Sequence, residues 1–179
     1  MTNKVSKWQK ISTNTVFEKF GRKVDKVVFR LPDGSESDFY LKNELDACGV
    51  LAFTKDGKII ITRQYRPGPD EVIYDLPGGY VDAGESPEEG VKRELLEETG
   101  YSGNFQFVTA CIDSSYSTQK IHCFVATDCQ KIGETNLEKE EILEVELISL
   151  DQYRTILKSG ECNDIEIGYL CLDYLNLLK

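Results

Sequence analysis

A helix whose two ends are both marked in the sequence is the feature that most constrains this chain. Ser86 is a favoured N-cap residue, Pro87 suits the first helical position, and Glu89 stands at the acidic position of a capping box. Gly100 is a natural stop, because glycine adopts left-handed backbone angles without strain. The pattern predicts a helix over residues 87–99.

Three glutamates would lie on one face of this helix. Glu94, Glu97 and Glu98 are spaced i, i+3, i+4, and residues at that spacing are neighbours on a helix surface. Their carboxylates repel one another unless a positive charge joins them, and hard cations such as Mg²⁺ and Mn²⁺ prefer oxygen ligands. The spacing alone also allows a solvated acidic face, eased by Lys92 and Arg93 on the same helix.

A longer motif surrounds the helix. Gly79 is followed after five residues by Glu85 and, after seven more, by the sequence RELLEETGY at residues 93–101. This resembles the Nudix box, G-x5-E-x7-R-E-U-x-E-E-x-G-U, in which U is a bulky apolar residue. Only Tyr101, where an aliphatic residue is usual, departs mildly from it. The chain therefore resembles the Nudix hydrolase superfamily.

The resemblance implies a metal-dependent hydrolase with Mg²⁺ or Mn²⁺ as cofactor. Glu94, Glu97 and Glu98 match the metal-binding glutamates of the family, and Glu97, Glu98 and Arg93 are our candidate catalytic residues on this helix. Arg93 and Glu85 match a charged pair that fixes the helix against its loop and orients the carboxylates. The family hydrolyses a nucleoside diphosphate linked to another group, using metals to lower the pKa of the attacking water.

Two glycines before the helix match positions next to the metal and the phosphates. Glycine lets the backbone approach a ligand closely. In the family a backbone carbonyl here can be a metal ligand, which we assign to Gly78, and we expect Gly79 to contact the substrate.

A second acidic segment, residues 134–146, includes residues 138–141 in a predicted loop before the last predicted strand. In relatives a loop here supplies a further metal ligand and the catalytic base: Glu141 best matches the ligand, and Glu138 or Glu140 is the candidate base. A solvated acidic loop is the alternative. Residues 82–98 carry seven acidic and two basic side chains and residues 134–146 carry six and one, so the two segments together account for the net charge of −10.

The flanks of the box resemble the ADP-ribose pyrophosphatase branch of the superfamily. The matching features are RQYR at residues 63–66, DLPGG at residues 75–79, a β-rich N-terminal part and two C-terminal helices. Arg66 then matches an arginine that contacts the ribose or a phosphate, for which its forked donors are suited. An ordinary surface charge at a strand end is the alternative.

One departure from this branch bears on the substrate. Members that prefer ADP-ribose usually carry a proline in the loop after the box and a glutamate soon after it, whereas residues 113–120 contain no proline and place Gln119 near the glutamate position. An amide can bind a substrate group but cannot act as a base. We expect Gln119 to bind substrate. GDP-mannose, a dinucleotide or a nucleoside triphosphate is the alternative substrate to ADP-ribose. A sensor that binds a nucleotide sugar without hydrolysing it is the alternative from another class.

Periodicity and turn residues predict an α+β fold. The resemblance makes it the α/β/α Nudix sandwich, with a mixed β-sheet over residues 46–179 and a small N-terminal antiparallel β-sheet subdomain over residues 1–45. In the ADP-ribose branch the N-terminal strands exchange between two subunits, so the resemblance implies a homodimer. Beyond the helix, the sequence predicts hairpins about residues 32–35 and 55–57, strands over residues 105–113, 120–128 and 143–148, and helices after Ser149 and from Asn163.

Charge and composition exclude several classes of protein. With 21 Lys and Arg against 31 Asp and Glu, the chain lacks the positive surface that nucleic acids or anionic membranes attract. It contains no apolar run long enough for a secretion signal or a membrane span. Its six cysteines form no CxxC pair, so we expect buried thiols in a cytoplasmic protein. The expected partner is a small-molecule nucleoside diphosphate sugar, with no nucleic acid and no membrane.

Overall fold

The structure is a computed structural model that describes residues 5–137, 139 and 141–178. Within these residues the strands are β1 (Gln9–Lys19), β2 (Arg22–Arg30), β3 (Glu36–Lys42), β4 (Ala47–Thr54), β5 (Ile59–Arg66), β6 (Glu71–Asp75), β7 (Gly78–Tyr80), β8 (Tyr101–Ile112), β9 (Lys120–Lys131) and β10 (Leu143–Ile148). The helices are α1 (Pro87–Thr99), α2 (Leu150–Ser159) and α3 (Ile165–Tyr174). None of the helices in this part of the chain is long and apolar enough to cross a membrane.

The chain divides into two compact units. The first comprises the residues up to Leu45 together with Ile112–Lys120. It holds a three-stranded sheet in the order β1-β2-β3, in which both strand pairs are antiparallel. The predicted turn between β2 and β3 is present: Gly34 N–H donates to the carbonyl of Leu31 at 3.0 Å, and the Asp33 carboxylate accepts from Ser35 N–H at 3.0 Å.

The second unit, Asp46–Cys111 and the chain from Ile121 onward, is built on a mixed sheet. The strand order is β10-β5-β4-β9-β8, with β6 paired to β5 and β7 paired to β4. Strand β4 runs parallel to β9 and antiparallel to β5 and β7. The α+β fold with a mixed sheet and a small antiparallel sheet is therefore confirmed.

Helices cover both faces of the mixed sheet. Neighbouring residues of a strand point to opposite faces, and Val50 belongs to a buried cluster with Leu95 of α1, whereas Leu51 belongs to one with Tyr153 of α2 and Leu172 of α3. The sheet is thus sandwiched between α1 on one side and α2 and α3 on the other. This packing fixes α1, the helix that carries the glutamates, against β4.

Three features differ from the sequence prediction or refine it. Strands β6 and β7 were not predicted; both are short and are held by pairing with β5 and β4. Helix α3 begins at Ile165 because Asp164 has a left-handed backbone, with φ of 56°. All six cysteines are free thiols, and four of them, Cys48, Cys123, Cys129 and Cys171, are buried.

Candidate active site

Helix α1 begins with the predicted capping box. The Ser86 hydroxyl accepts from Glu89 N–H at 3.2 Å, and the Glu89 carboxylate accepts from Ser86 N–H at 2.8 Å. The helix ends at Gly100, whose φ is 75° and whose N–H donates to the carbonyl of Leu96 at 2.8 Å. Both ends are therefore fixed by local hydrogen bonds, which hold the three glutamates between them in register.

Arg93 is the centre of an ion-pair cluster on this helix. Its Nε and Nη2 donate to the two carboxylate oxygens of Glu85 at 3.0 and 3.1 Å. Its Nη1 donates to Glu94 at 2.8 Å and to Glu97 at 3.1 Å, and Nη2 also reaches the carbonyl of Tyr80 at 3.1 Å. The pKa of Arg93 is raised, chiefly by its hydrogen bonds to Glu85. All three guanidinium nitrogens thus have partners within the protein.

Glu98 makes a different contact from the other two glutamates. It is only 6% exposed, and its carboxylate accepts from Gly78 N–H at 3.0 Å. Burial raises the pKa of Glu98 well above its ordinary value, and the charges of Glu94 and Glu141 add to the rise. The pKa of Glu94 is also raised, first by burial and then by Glu97 and Glu141. These carboxylates are close enough for their negative charges to oppose one another.

The two glycines of β7 leave little room for a side chain where they stand. A Cβ at position 78 would overlap the carbonyl of Cys48 on β4, and a Cβ at position 79 would overlap the carboxylate of Glu94. Gly78 and Gly79 therefore bring the backbone of β7 directly against the glutamates of α1. This is the close approach that the sequence comparison implied at these positions.

The second acidic segment lies beside the helix. Asn136 N–H donates to the carbonyl of Glu97 at 2.7 Å, which ties the segment to the last turn of α1. A cavity of about 220 Å³ opens where they meet, lined by Arg93, Glu94, Glu97, Asn136, Leu137 and Glu141. The structure thus brings Glu141 to the predicted cluster. Glu138 and Glu140, the predicted bases, lie outside the described residues.

The donor set fits a hard divalent cation. Among the described residues, no group of three or more His, Cys, Asp or Glu side chains is already arranged to hold a metal ion. The hydrogen bonds explain this, since Arg93 holds Glu94 and Glu97 while Glu98 faces Gly78. The set is nevertheless all oxygen, partly buried and mutually repulsive, and a cation with oxygen ligands would relieve that repulsion.

Arg66 lies close enough to this cluster for its charge to lower the pKa of Glu98 against the larger effect of burial. It ends β5, and its Nε donates to the Asp75 carboxylate of β6 at 2.9 Å. Asp75 is 1% exposed and was not singled out by the sequence analysis. Its signal in the sequence is its place as the first residue of DLPGG, residues 75–79, in the family resemblance.

Gln119 has internal partners for both halves of its amide. It is buried in the first unit, where its Oε1 accepts from Lys42 Nζ at 2.8 Å and its Nε2 donates to the carbonyl of Leu45 at 2.5 Å. Lys42 also pairs with Asp113 at 3.0 Å. These contacts account for the hydrogen-bonding groups of Gln119 without a ligand, and substrate binding by this residue stays a prediction.

The class of protein follows from a helix that carries the glutamates and is capped at both ends. This helix packs on a mixed sheet, and the glycines of β7 lie against its carboxylates. Residues 44–164 match the family model described as NUDIX domain, so the chain belongs to the NUDIX domain family and is a Nudix hydrolase. Nudix hydrolases generally need divalent metal ions.

Known proteins resemble the chain over most of its length. It is 33% identical over 150 residues to the ADP-ribose pyrophosphatase of Bacillus subtilis (strain 168), a match that covers 82% of this chain and 80% of that protein. It is 27% identical over 150 residues to the methanol dehydrogenase activator of Bacillus methanolicus, with the same coverage of 82% and 80%. A crystal structure of an ADP compounds hydrolase shares the fold, with a TM-score of 0.81 and 20% identity over 98% of this chain and 97% of that one.

Proposed function

We propose that this protein hydrolyses the pyrophosphate bond of ADP-ribose or a related nucleoside diphosphate sugar with Mg²⁺ or Mn²⁺. The products would be a nucleoside monophosphate and a sugar phosphate. The observation that carries the proposal is the cavity at which Glu141 meets Glu94 and Glu97 beside Arg93. The similarity to the ADP-ribose pyrophosphatase of Bacillus subtilis supports the choice of substrate.

Some residues of the cluster would bind the metal, and others would orient the metal ligands. Glu94, Glu97, Glu98, Glu141 and the Gly78 carbonyl would hold the cation, which when bound neutralises the pyrophosphate and lowers the pKa of an attacking water.

Around these ligands, Arg93 keeps Glu94 and Glu97 oriented through its ion pairs. Glu141 lines the same cavity and would take part in catalysis there, while Glu138 or Glu140 stays the proposed base that takes a proton from water. Arg66 and Gly79 would contact the substrate, Arg66 through a phosphate or ribose group. Gln119 is the further substrate contact that the family resemblance suggests.

We also propose that the protein is a homodimer formed through its N-terminal strands. All eleven residues of β1 are exposed. Among them, Ile11, Val16 and Phe17 are large apolar side chains, and Phe20 follows directly after the strand with 88% of its surface exposed. Apolar side chains of this kind are buried when a second chain pairs with an edge strand.

A substrate panel with one active-site variant tests the proposed reaction. ADP-ribose, GDP-mannose, a dinucleotide and a nucleoside triphosphate would each be incubated with Mg²⁺ or with EDTA, and products separated by chromatography. We expect fastest cleavage of ADP-ribose or another nucleoside diphosphate sugar, and none in EDTA. Glu97→Gln should reduce kcat by about 100-fold or more, in line with loss of charge stabilisation in a reaction centre.

The control is Glu88→Gln, on the same helix, where Glu88 pairs with the exposed Lys92. This variant should retain wild-type turnover. A fully active Glu97→Gln enzyme would contradict the metal assignment. Tight binding of ADP-ribose without any product would instead indicate a sensor.

A further inference from the structure

The two arginines next to the glutamates are held in different ways. Arg93 uses Nε, Nη1 and Nη2 for contacts within the protein. Arg66 uses only Nε, which donates to Asp75, and its two terminal Nη groups form no hydrogen bond with any other described residue. Arg93 is therefore a fully occupied internal cation, whereas Arg66 keeps the donors that match the oxygens of a phosphate.

Asp75 holds Arg66 from a buried position. Strands β5 and β6 pair so that Asp75 lies opposite Thr62, which precedes Arg66 by four residues and is on the same face of β5. Asp75 is 1% exposed, and its Oδ1 is a buried polar atom without a hydrogen-bond partner among the described residues. Burial raises the pKa of Asp75; Arg66 opposes this rise most, and the side chains of Gln64 and Asn163 oppose it less.

The two partners of this ion pair therefore differ in their access to solvent. The Arg66 side chain is 39% exposed and can be hydrated if the pair opens, but the Asp75 carboxylate cannot. A buried carboxylate that loses its cation is costly, so Asp75 holds the guanidinium more firmly than an exposed acid would. Because the contact is made at Nε, the opposite edge of the guanidinium is left for a ligand.

We propose that Asp75 is a positioning residue: its carboxylate accepts a hydrogen bond from Arg66 Nε and thereby orients the two Nη groups of Arg66 towards a phosphate of the substrate. This inference rests on the proposed pyrophosphatase function and deepens it. Asp75 itself does not touch the substrate. Its role is to set the direction in which Arg66 points, which fixes where the pyrophosphate lies relative to the glutamates.

The test is a kinetic double-mutant cycle on Asp75 and Arg66 with the substrate that the panel selects. Asp75→Asn keeps the size of the side chain and removes its charge, and we expect KM to rise about tenfold with kcat within about threefold of wild type. Arg66→Lys keeps the positive charge but loses the planar guanidinium with its two Nη donors, and it should raise KM by at least the same factor. In the Arg66→Lys background, Asp75→Asn should change KM by less than about twofold, because the group it positions is gone.

Glu144→Gln is the matched control. It removes one acidic partner of Arg63, which lies on the same strand as Arg66; Glu144 is exposed, and Arg63 keeps Glu146 at 3.6 Å. We expect KM within about twofold of wild type. Thermal unfolding of each variant shows whether it is folded.

Each outcome decides the inference. If Asp75 has a purely structural role, Asp75→Asn lowers the active fraction, and thus kcat, but leaves KM unchanged, and this result would overturn the proposal. Additive effects of the two substitutions on KM would also overturn it. If Asp75→Asn does not fold, an unchanged KM in Arg66→Lys alone refutes it. Failure of the proposed function looks different, since Glu97→Gln would then be fully active or no pyrophosphate substrate would be cleaved.

Discussion

Replacing Glu98 by glutamine should stabilise the metal-free protein at pH 8. The carboxylate is buried, and Glu94 and Glu141 repel its charge, while its one hydrogen bond comes from Gly78. Glutamine can still accept that hydrogen bond through its amide oxygen. Since a buried group left without full compensation costs about 1–3 kcal/mol, and each kcal/mol moves Tm by about 2–4 °C at this chain length, we expect Tm to rise by about 2–12 °C.

The effect should depend on pH with a definite sign. The pKa of Glu98 in the folded chain lies above its ordinary value of 4.5, so between the two values the folded state binds a proton that the unfolded state has released. The stability associated with the protonated carboxyl is fully present below the unfolded pKa and is lost as pH rises through the folded pKa. The advantage of Glu98→Gln should therefore disappear as the pH approaches 4.5.

Mg²⁺ should reduce the stability advantage of Glu98→Gln over wild type. At about 100 times its Kd, a ligand of the folded state adds about 2.7 kcal/mol. We expect wild type to show this gain and Glu98→Gln a smaller one, so that the variant melts above wild type in EDTA and its advantage is reduced or inverted in Mg²⁺. Differential scanning fluorimetry at pH 5 and pH 8, with EDTA or with a Mg²⁺ titration, measures both effects.

Glu88→Gln is again the control, because it removes an exposed charge on the same helix. Its Tm should stay within about 1 °C of wild type in every condition, as surface pairs of this kind contribute little. A Glu98→Gln protein that melts below wild type in EDTA at pH 8 would refute the reasoning about burial. Equal shifts of both proteins with Mg²⁺ would refute the assignment of Glu98 as a metal ligand.

Two further predictions concern the scaffold of the site. Ser86→Ala removes the hydroxyl that accepts from Glu89 N–H but keeps the backbone N–H that donates to the Glu89 carboxylate. It should lower the free energy of unfolding by about 1 kcal/mol in urea titrations, and an unchanged midpoint would mean that the hydroxyl contributes nothing. Gly78→Ala forces a Cβ into the carbonyl of Cys48 and should cost about 1–3 kcal/mol or more, whereas Gly68→Ala, which meets no atom within 4 Å, should be nearly neutral. Equal stability of the two alanine variants would contradict the close packing of β7 on β4.

The helix and the turns could be predicted because their signals are local. The capping box at Ser86 and the left-handed stop at Gly100 depend on neighbouring residues alone, and α1 has the predicted bounds. Strands β6 and β7 could not be found in this way. Glu71–Asp75 is only five residues long, and Gly78–Tyr80 contains two glycines, so their extended backbone depends on partner strands that are distant in sequence.

The site was predictable in composition but not in arrangement. The spacing of Glu94, Glu97 and Glu98 placed all three on one face, yet the structure gives two of them to Arg93 and turns Glu98 to the backbone of β7. That division depends on where β7 packs, which no pattern within the helix encodes. The hydrogen bond between Asp75 and Arg66 likewise depends on how β5 and β6 pair.

The occupied guanidinium of Arg93 separates folding of the protein from its chemistry. Because Glu85, Glu94 and Glu97 already share a positive charge that belongs to the chain, the acidic loop and helix can assemble before any ion arrives. The protein should therefore be obtained folded in chelator, and metal can be added back to it at will. Metal content and structural integrity then become independent experimental variables, so a loss of activity on chelation can be assigned to the reaction itself.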